Sequence, residues 1–206
     1  MTVLTYLMGG GSSFSSGGPG KGMHSRLYTR VLNNYHWCHS CAAFSNTQNN
    51  TGLVGIQAAA EPAYAKKMLD VICGELEVLT SPPPADQLER AKAMSISLIH
   101  NALESKAAST EDLGRQYLTY GHRVSGADYV QMIQAVSPKA IAEFAQRLLA
   151  SPPSLVLYGD GTEEVADYEA LTRRFEPRRQ ALAGGGRGQR AAPGFLERLR
   201  QQVGRG

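Results

Sequence analysis

Cysteine is scarce in this chain: three residues in 206, alongside a single tryptophan. Cys38, Cys41 and Cys73 are too few for a disulfide framework and point to a reducing compartment. Long apolar runs are missing too. The longest resemble Ser154–Tyr158, far short of the ~18–20 residues of a membrane span. The five histidines (His24, His36, His39, His100 and His122) form neither His-Glu-x-x-His nor His-x-x-Glu-His. A zincin-type site, with two histidines and a basic glutamate on one helix face, is therefore excluded. No Asp or Glu occurs before Glu61. The opening residues lack the basic stretch of a secretory signal and the arginines of a transit peptide. Thr2–Met8 reads instead as the end of an apolar helix, as though the chain began inside a domain.

Glycine and charge are present in excess, and neither is spread evenly. Of 22 glycines, seven lie in Gly9–Gly22 and seven in Ala181–Gly206. The net charge of +3 is a cancellation. Met1–Ala60 carries +3, Glu61–Thr172 carries −7, and Arg173–Gly206 carries +7. The basic balance thus belongs to the tail, and nucleic-acid binding is not expected of the fold.

Periodicity predicts a helix over His24–Tyr35, then strands at Trp37–Ser45 and Leu53–Ala60 joined by a hairpin over Asn46–Gly52. Helices follow at Pro62–Leu79 and, after Pro82-Pro83-Pro84, at Ala85–Glu104. Along the latter, Leu88, Ala91, Ser95, Leu98 and Ala102 form one stripe. Ser109–Asp112 resembles a capping box opening a helix over Glu111–Tyr120. Ala127–Val136 is a short helix, and Ser137-Pro138 caps the next one. Ser154–Tyr158 reads as a closing strand, with a last helix around Tyr168–Phe175. The pattern is α+β, helices packed on an antiparallel sheet. We expect one domain over 1–176 and a low-complexity basic tail over 177–206, too poor in apolar residues to offset its ordering entropy.

Gly9–Gly22 invites a phosphate-binding reading, which its spacing defeats. A P-loop ending at Gly20-Lys21 needs glycine where Ser15 stands and a hydroxyl where Gly22 stands. A dinucleotide fingerprint from Gly18 fails at Met23. A plain linker has no need of Phe14 at its centre. A loop held between two helices and carrying one aromatic suits a lid or clamp. Cys38-His39-Ser40-Cys41, on a strand and without a second pair, is read as small buried residues; residues three apart on a strand face opposite ways and cannot share an ion.

Gly9–Met23, GGGSSFSSGGPGKGM, closely resembles the glycine-rich loop of mitochondrial processing peptidase α-subunits. The likeness continues through Ser25-Arg-Leu-Tyr28, Val31–Trp37, Leu103-Glu-Ser105, Glu111–Gln116 and Asp167-Tyr-Glu169. It implies the C-terminal half of a pitrilysin-type (M16) subunit, with an antiparallel sheet flanked by helices. It implies a non-catalytic partner of a zinc-bearing β-subunit, no cofactor in this chain, and binding or gating of the presequence peptides of imported precursors. The location implied is the mitochondrial matrix or the matrix face of the inner membrane. A second role the family takes is that of a core subunit of the cytochrome bc1 complex (complex III). The loop residues carried over as substrate-binding are Gly9, Gly10, Gly11, Ser12, Ser13, Phe14, Ser15, Ser16, Gly17, Gly18, Pro19, Gly20 and Lys21. A strand and early helix of that half would precede Thr2, so an unpaired sheet edge is expected.

Presequences are arginine-rich, whereas the loop's one charge is Lys21. A steric role through Phe14 and backbone groups is therefore expected, with acidic contacts supplied from elsewhere. Glu104, Glu111 and Asp112 are candidates, weighed against solvated helix ends or caps. Arg115, four residues after Glu111, suits an ion pair, with a buried structural role the further reading. In the tail, Phe195, Leu196, Leu199 and Val203 share one helical face among arginines, a presequence-like or membrane-surface-like pattern.

Overall fold

The computed structural model describes residues 1–13, 23–48, 51–165 and 168–185. Three antiparallel strands form the sheet in the order β1-β2-β3: β1 Gly10–Ser12, β2 Cys38–Thr47 and β3 Gly52–Ala60. Seven α-helices accompany them among the described residues: α1 Thr2–Met8, α2 Ala65–Val78, α3 Ala85–Glu104, α4 Lys106–Tyr120, α5 Gly126–Gln134, α6 Pro138–Leu149 and α7 Tyr168–Gly185. The expected α+β class holds.

The core forms where α1, α2, α3 and the segment after the glycines converge on β2. Leu4 and Leu7 of α1, Leu27 and Val31, Trp37, Met68 of α2, and Leu88 and Ala91 of α3 are all buried there. Helix α2 places Met68 inward with Ile72 and Leu76 packed against the same core, and turns Leu69 toward a second cluster, as its spacing requires. That second cluster joins Cys73 and Leu149 to Leu171 and Phe175 of α7. Arg174 pins α7 to α2 through Glu77 at 2.7 Å and Asp70 at 3.0 Å.

Several local expectations need correction. The helix expected over His24–Tyr35 is shorter, and Tyr28–Leu32 winds as a π-helical turn. The α3 stripe follows Leu88, Ala91 and Ser95 and then turns toward Ile99, leaving Leu98 exposed, because 3.6 residues per turn drift off an even spacing. Ser109–Asp112 does not open a helix: α4 already starts at Lys106, capped by Ser105. The capping box lies one helix later, where Ser125 and Asp128 bond reciprocally to open α5. Ser137 caps α6 as expected, accepting from the Ala140 N–H at 3.1 Å. The last helix does not stop near Phe175. It runs through Pro177 to Gly185, where Arg, Gln and Ala favour helix.

The sheet departs most. Ser154–Tyr158 is not a strand; it is an irregular stretch outside the sheet. Gly10–Ser12, within the glycine segment itself, is a strand.

Candidate functional site

The glycine segment starts as a built structure. Gly9 ends α1, its N–H donating to the Thr5 carbonyl at 2.7 Å, and its own carbonyl accepts from the Ala43 N–H at 2.8 Å. The next residue is fixed from two sides. Gly10 pairs with Ala42 across the sheet, and its N–H donates to Ser25 Oγ at 3.0 Å. Its φ of 103° is open to glycine and strained for other residues, and a Cβ there would stand 2.0 Å from the Cys41 carbonyl oxygen. A Cβ on Gly11, by contrast, meets nothing within 4 Å.

Further along, the His39 carbonyl accepts the Ser13 N–H at 2.8 Å and both the Ser13 and Ser12 hydroxyls, at 3.0 and 3.3 Å. His39 is available because β2 bulges there: Cys38 pairs with Ala60 and Ser40 with Ala59, leaving His39 without a partner on β3. The bulge also overturns the strand argument about the cysteines. Cys38 and Cys41 do not face opposite ways; both are fully buried in one core cluster. Burial pushes the Cys41 thiol up to about 12 and Cys73 up to about 11, so all three cysteines stay protonated.

The far end of the segment returns to the same place. Ser25 is buried directly beneath Gly10, and Arg26 beside it is 5% exposed. Arg26 lies 3.9 Å from Glu75 of α2, whose other oxygen takes Arg30 Nε at 3.1 Å. Residues 14–22 lie outside the described residues. Of the expected substrate-binding set, Gly9 to Ser13 are therefore placed, while Phe14, Ser15, Ser16, Gly17, Gly18, Pro19, Gly20 and Lys21 are not.

Residues 1–95 match the family model described as the Peptidase M16 inactive domain. The chain belongs to the M16 peptidase family. It is 47% identical over 177 residues to the mitochondrial-processing peptidase subunit alpha of Solanum tuberosum, covering 85% of this chain and 35% of that protein. The corresponding Homo sapiens subunit is 37% identical over 169 residues, covering 82% of this chain and 32% of that one. The M16 chain thus spans about a third of the curated relatives it matches. Among solved structures, a chain of complex III from Candida albicans superposes with a TM-score of 0.70 at 20% identity, over 84% of this chain and 41% of that one. A conserved protein from Enterococcus faecalis gives 0.58 at 22%, over 71% and 32%. These likenesses show the fold.

This M16 chain carries the non-catalytic kind of domain. Among the described residues no three His, Cys, Asp or Glu side chains converge to hold a metal. No described helix is long and apolar enough to cross a membrane.

The candidate carboxylates are mostly engaged. Glu111 and Asp112 border a cavity of about 780 Å³ between α3, α4, α5 and α6. Arg115 holds Glu111 at 2.6 Å, and both side chains are exposed, so the buried role considered for Arg115 is not found. Asp112 accepts from Gln116, whose own oxygen takes the Val124 N–H and so fixes the turn into α5. Arg123 and Arg147 also border this cavity, which makes it a poor seat for an arginine-rich peptide. Glu104 stays exposed at the end of α3.

Sequence reasoning missed Glu75. The signal was present: Met68, Ile72, Glu75 and Leu79 share one face of the helix, and an acid in that stripe must find a buried cation.

Proposed function

We propose that this chain is the recognition part of a mitochondrial presequence-cleaving metalloendopeptidase. It contributes no catalytic residue and pairs with a β-subunit that supplies the zinc. The observation that carries this reading is the alignment with processing-peptidase α-subunits across 82–85% of the chain. The built base of that segment supports a steric role. Gly9–Ser13 are held to β2 and Ser25, which leaves Phe14–Lys21 as the part to meet an extended presequence peptide. The names of the relatives favour a mitochondrial location, with the matrix or matrix face as its finer form. The complex III likeness, at 20% identity, speaks for the fold and lends the core-subunit reading no separate support.

The test assembles the chain with a processing-peptidase β-subunit. Replacing Phe14–Lys21 by Gly and Ser residues of equal number, with Gly9–Ser13 retained, should raise KM for a presequence-bearing precursor. Phe14→Ala alone should do so to a smaller extent. Unchanged KM and kcat in the full replacement sink the reading.

A further inference from the structure

We propose that Arg26 is the positioning residue of the glycine segment, held between Glu75 on α2 and Gln87 on α3. Three observations meet at this residue. Arg26 directly follows Ser25, whose hydroxyl oxygen accepts the Gly10 N–H at 3.0 Å. Fixing Arg26 therefore fixes the point where the two ends of the segment come together. Arg26 is also deeply buried yet imperfectly paired. Its Nε and Glu75 Oε2 stand 3.9 Å apart and neither makes a hydrogen bond, while Glu75 is itself 7% exposed. Gln87 Oε1 is the third buried side-chain atom without a partner. Arg26 and Gln87 border one small cavity with His24 and Ser25, about 10 Å³ in volume. That is room for a single water, which accepts from a guanidinium and donates to an amide oxygen.

An apolar side chain at position 26 would pack at lower cost than a desolvated guanidinium. What the charge adds is direction: it is attracted to one carboxylate on α2 and one polar contact on α3, and so holds a single orientation. The arrangement is asymmetric. Loss of Arg26 leaves Glu75 with Arg30 at 3.1 Å. Loss of the Glu75 charge leaves two arginines crowded together without their acid.

The functional arm of this proposal rests on the recognition reading above; the structural arm does not. In the full chain assembled with a β-subunit, Glu75→Gln should speed hydrogen exchange at the Gly10 and Ser13 amides by about tenfold or more, with α6 amides little changed. The double variant Arg26→Gln/Glu75→Gln should recover part of that protection, and Arg26→Lys should keep more of it than Arg26→Gln. KM for a presequence precursor should rise in Glu75→Gln at unchanged kcat and fall back in the double variant. Equal loss of protection across all helices overturns the proposal, as does unaltered protection at Gly10. Lost Gly10 protection with unaltered KM supports the lock and overturns the recognition reading alone.

Discussion

Two short segments of this chain reverse their sequence character. Gly10-Gly11-Ser12 has the poorest strand chemistry available, yet it forms β1, in register with Ser40–Ala42. Ser154–Tyr158 has favourable chemistry and joins no strand: Val156 is 89% exposed and Tyr158 101%. The difference shows that a strand is a pairing event before it is a propensity. Glycine suits β1 because the backbone must come so close to Cys41 and Ala42 that a side chain at Gly10 has no place. The 154–158 stretch, with nothing beside it to complete a ladder, leaves its β-branched and aromatic groups in water.

The sharpest way to break this contrast is Gly10→Ala. The added Cβ meets backbone and the φ is unfavourable, so stability should fall by about 3 kcal/mol or more in urea denaturation. Alkali should come next, through the partner strand. Burial raises Cys41 from 9.0 to about 12 and Cys73 to about 11, so the folded state keeps thiol protons that the unfolded state loses. Stability should hold below pH 9 and decline as pH rises toward 12, with a flatter profile in Cys41→Ala. Ser25→Ala, which orphans the Gly10 N–H, should cost about 1–2 kcal/mol in the same assay. Gly11→Ala should stay within about 0.5 kcal/mol, since its Cβ enters open space. Val156→Pro should also be silent within about 0.5 kcal/mol, because no ladder bond is lost. A penalty well above that would mean the segment is paired in solution.

The same contrast marks what the residues disclosed beforehand. Elements set by local rules were legible: the stripe of α2, the break at Pro82-Pro83-Pro84, the Ser137 cap and the hairpin strands. Capping was recognised in kind and misplaced in position, since Ser109 and Asp112 match the box as well as Ser125 and Asp128 do. What escaped depends on distant neighbours. The bulge at His39 answers to β1, and Arg26 answers to Glu75 across the β2–β3 hairpin. The glycine segment was recognisable as the feature of interest only as a block. Which of its glycines are sterically obligatory depends on Ser25 for Gly9 and on Cys41 and Ala42 for Gly10, and those placements are properties of the folded chain.

The hydrogen bond from Gly10 to Ser25 has a consequence for how this protein can vary. Because both ends of the intervening stretch are tied at one point, its length is uncoupled from the rest of the molecule. Doubling a closed loop costs only about 0.6 kcal/mol in closure entropy. The tie is in effect a socket: residues can be inserted, removed or exchanged after Ser13 and before Ser25 while the sheet and core beneath keep their dimensions.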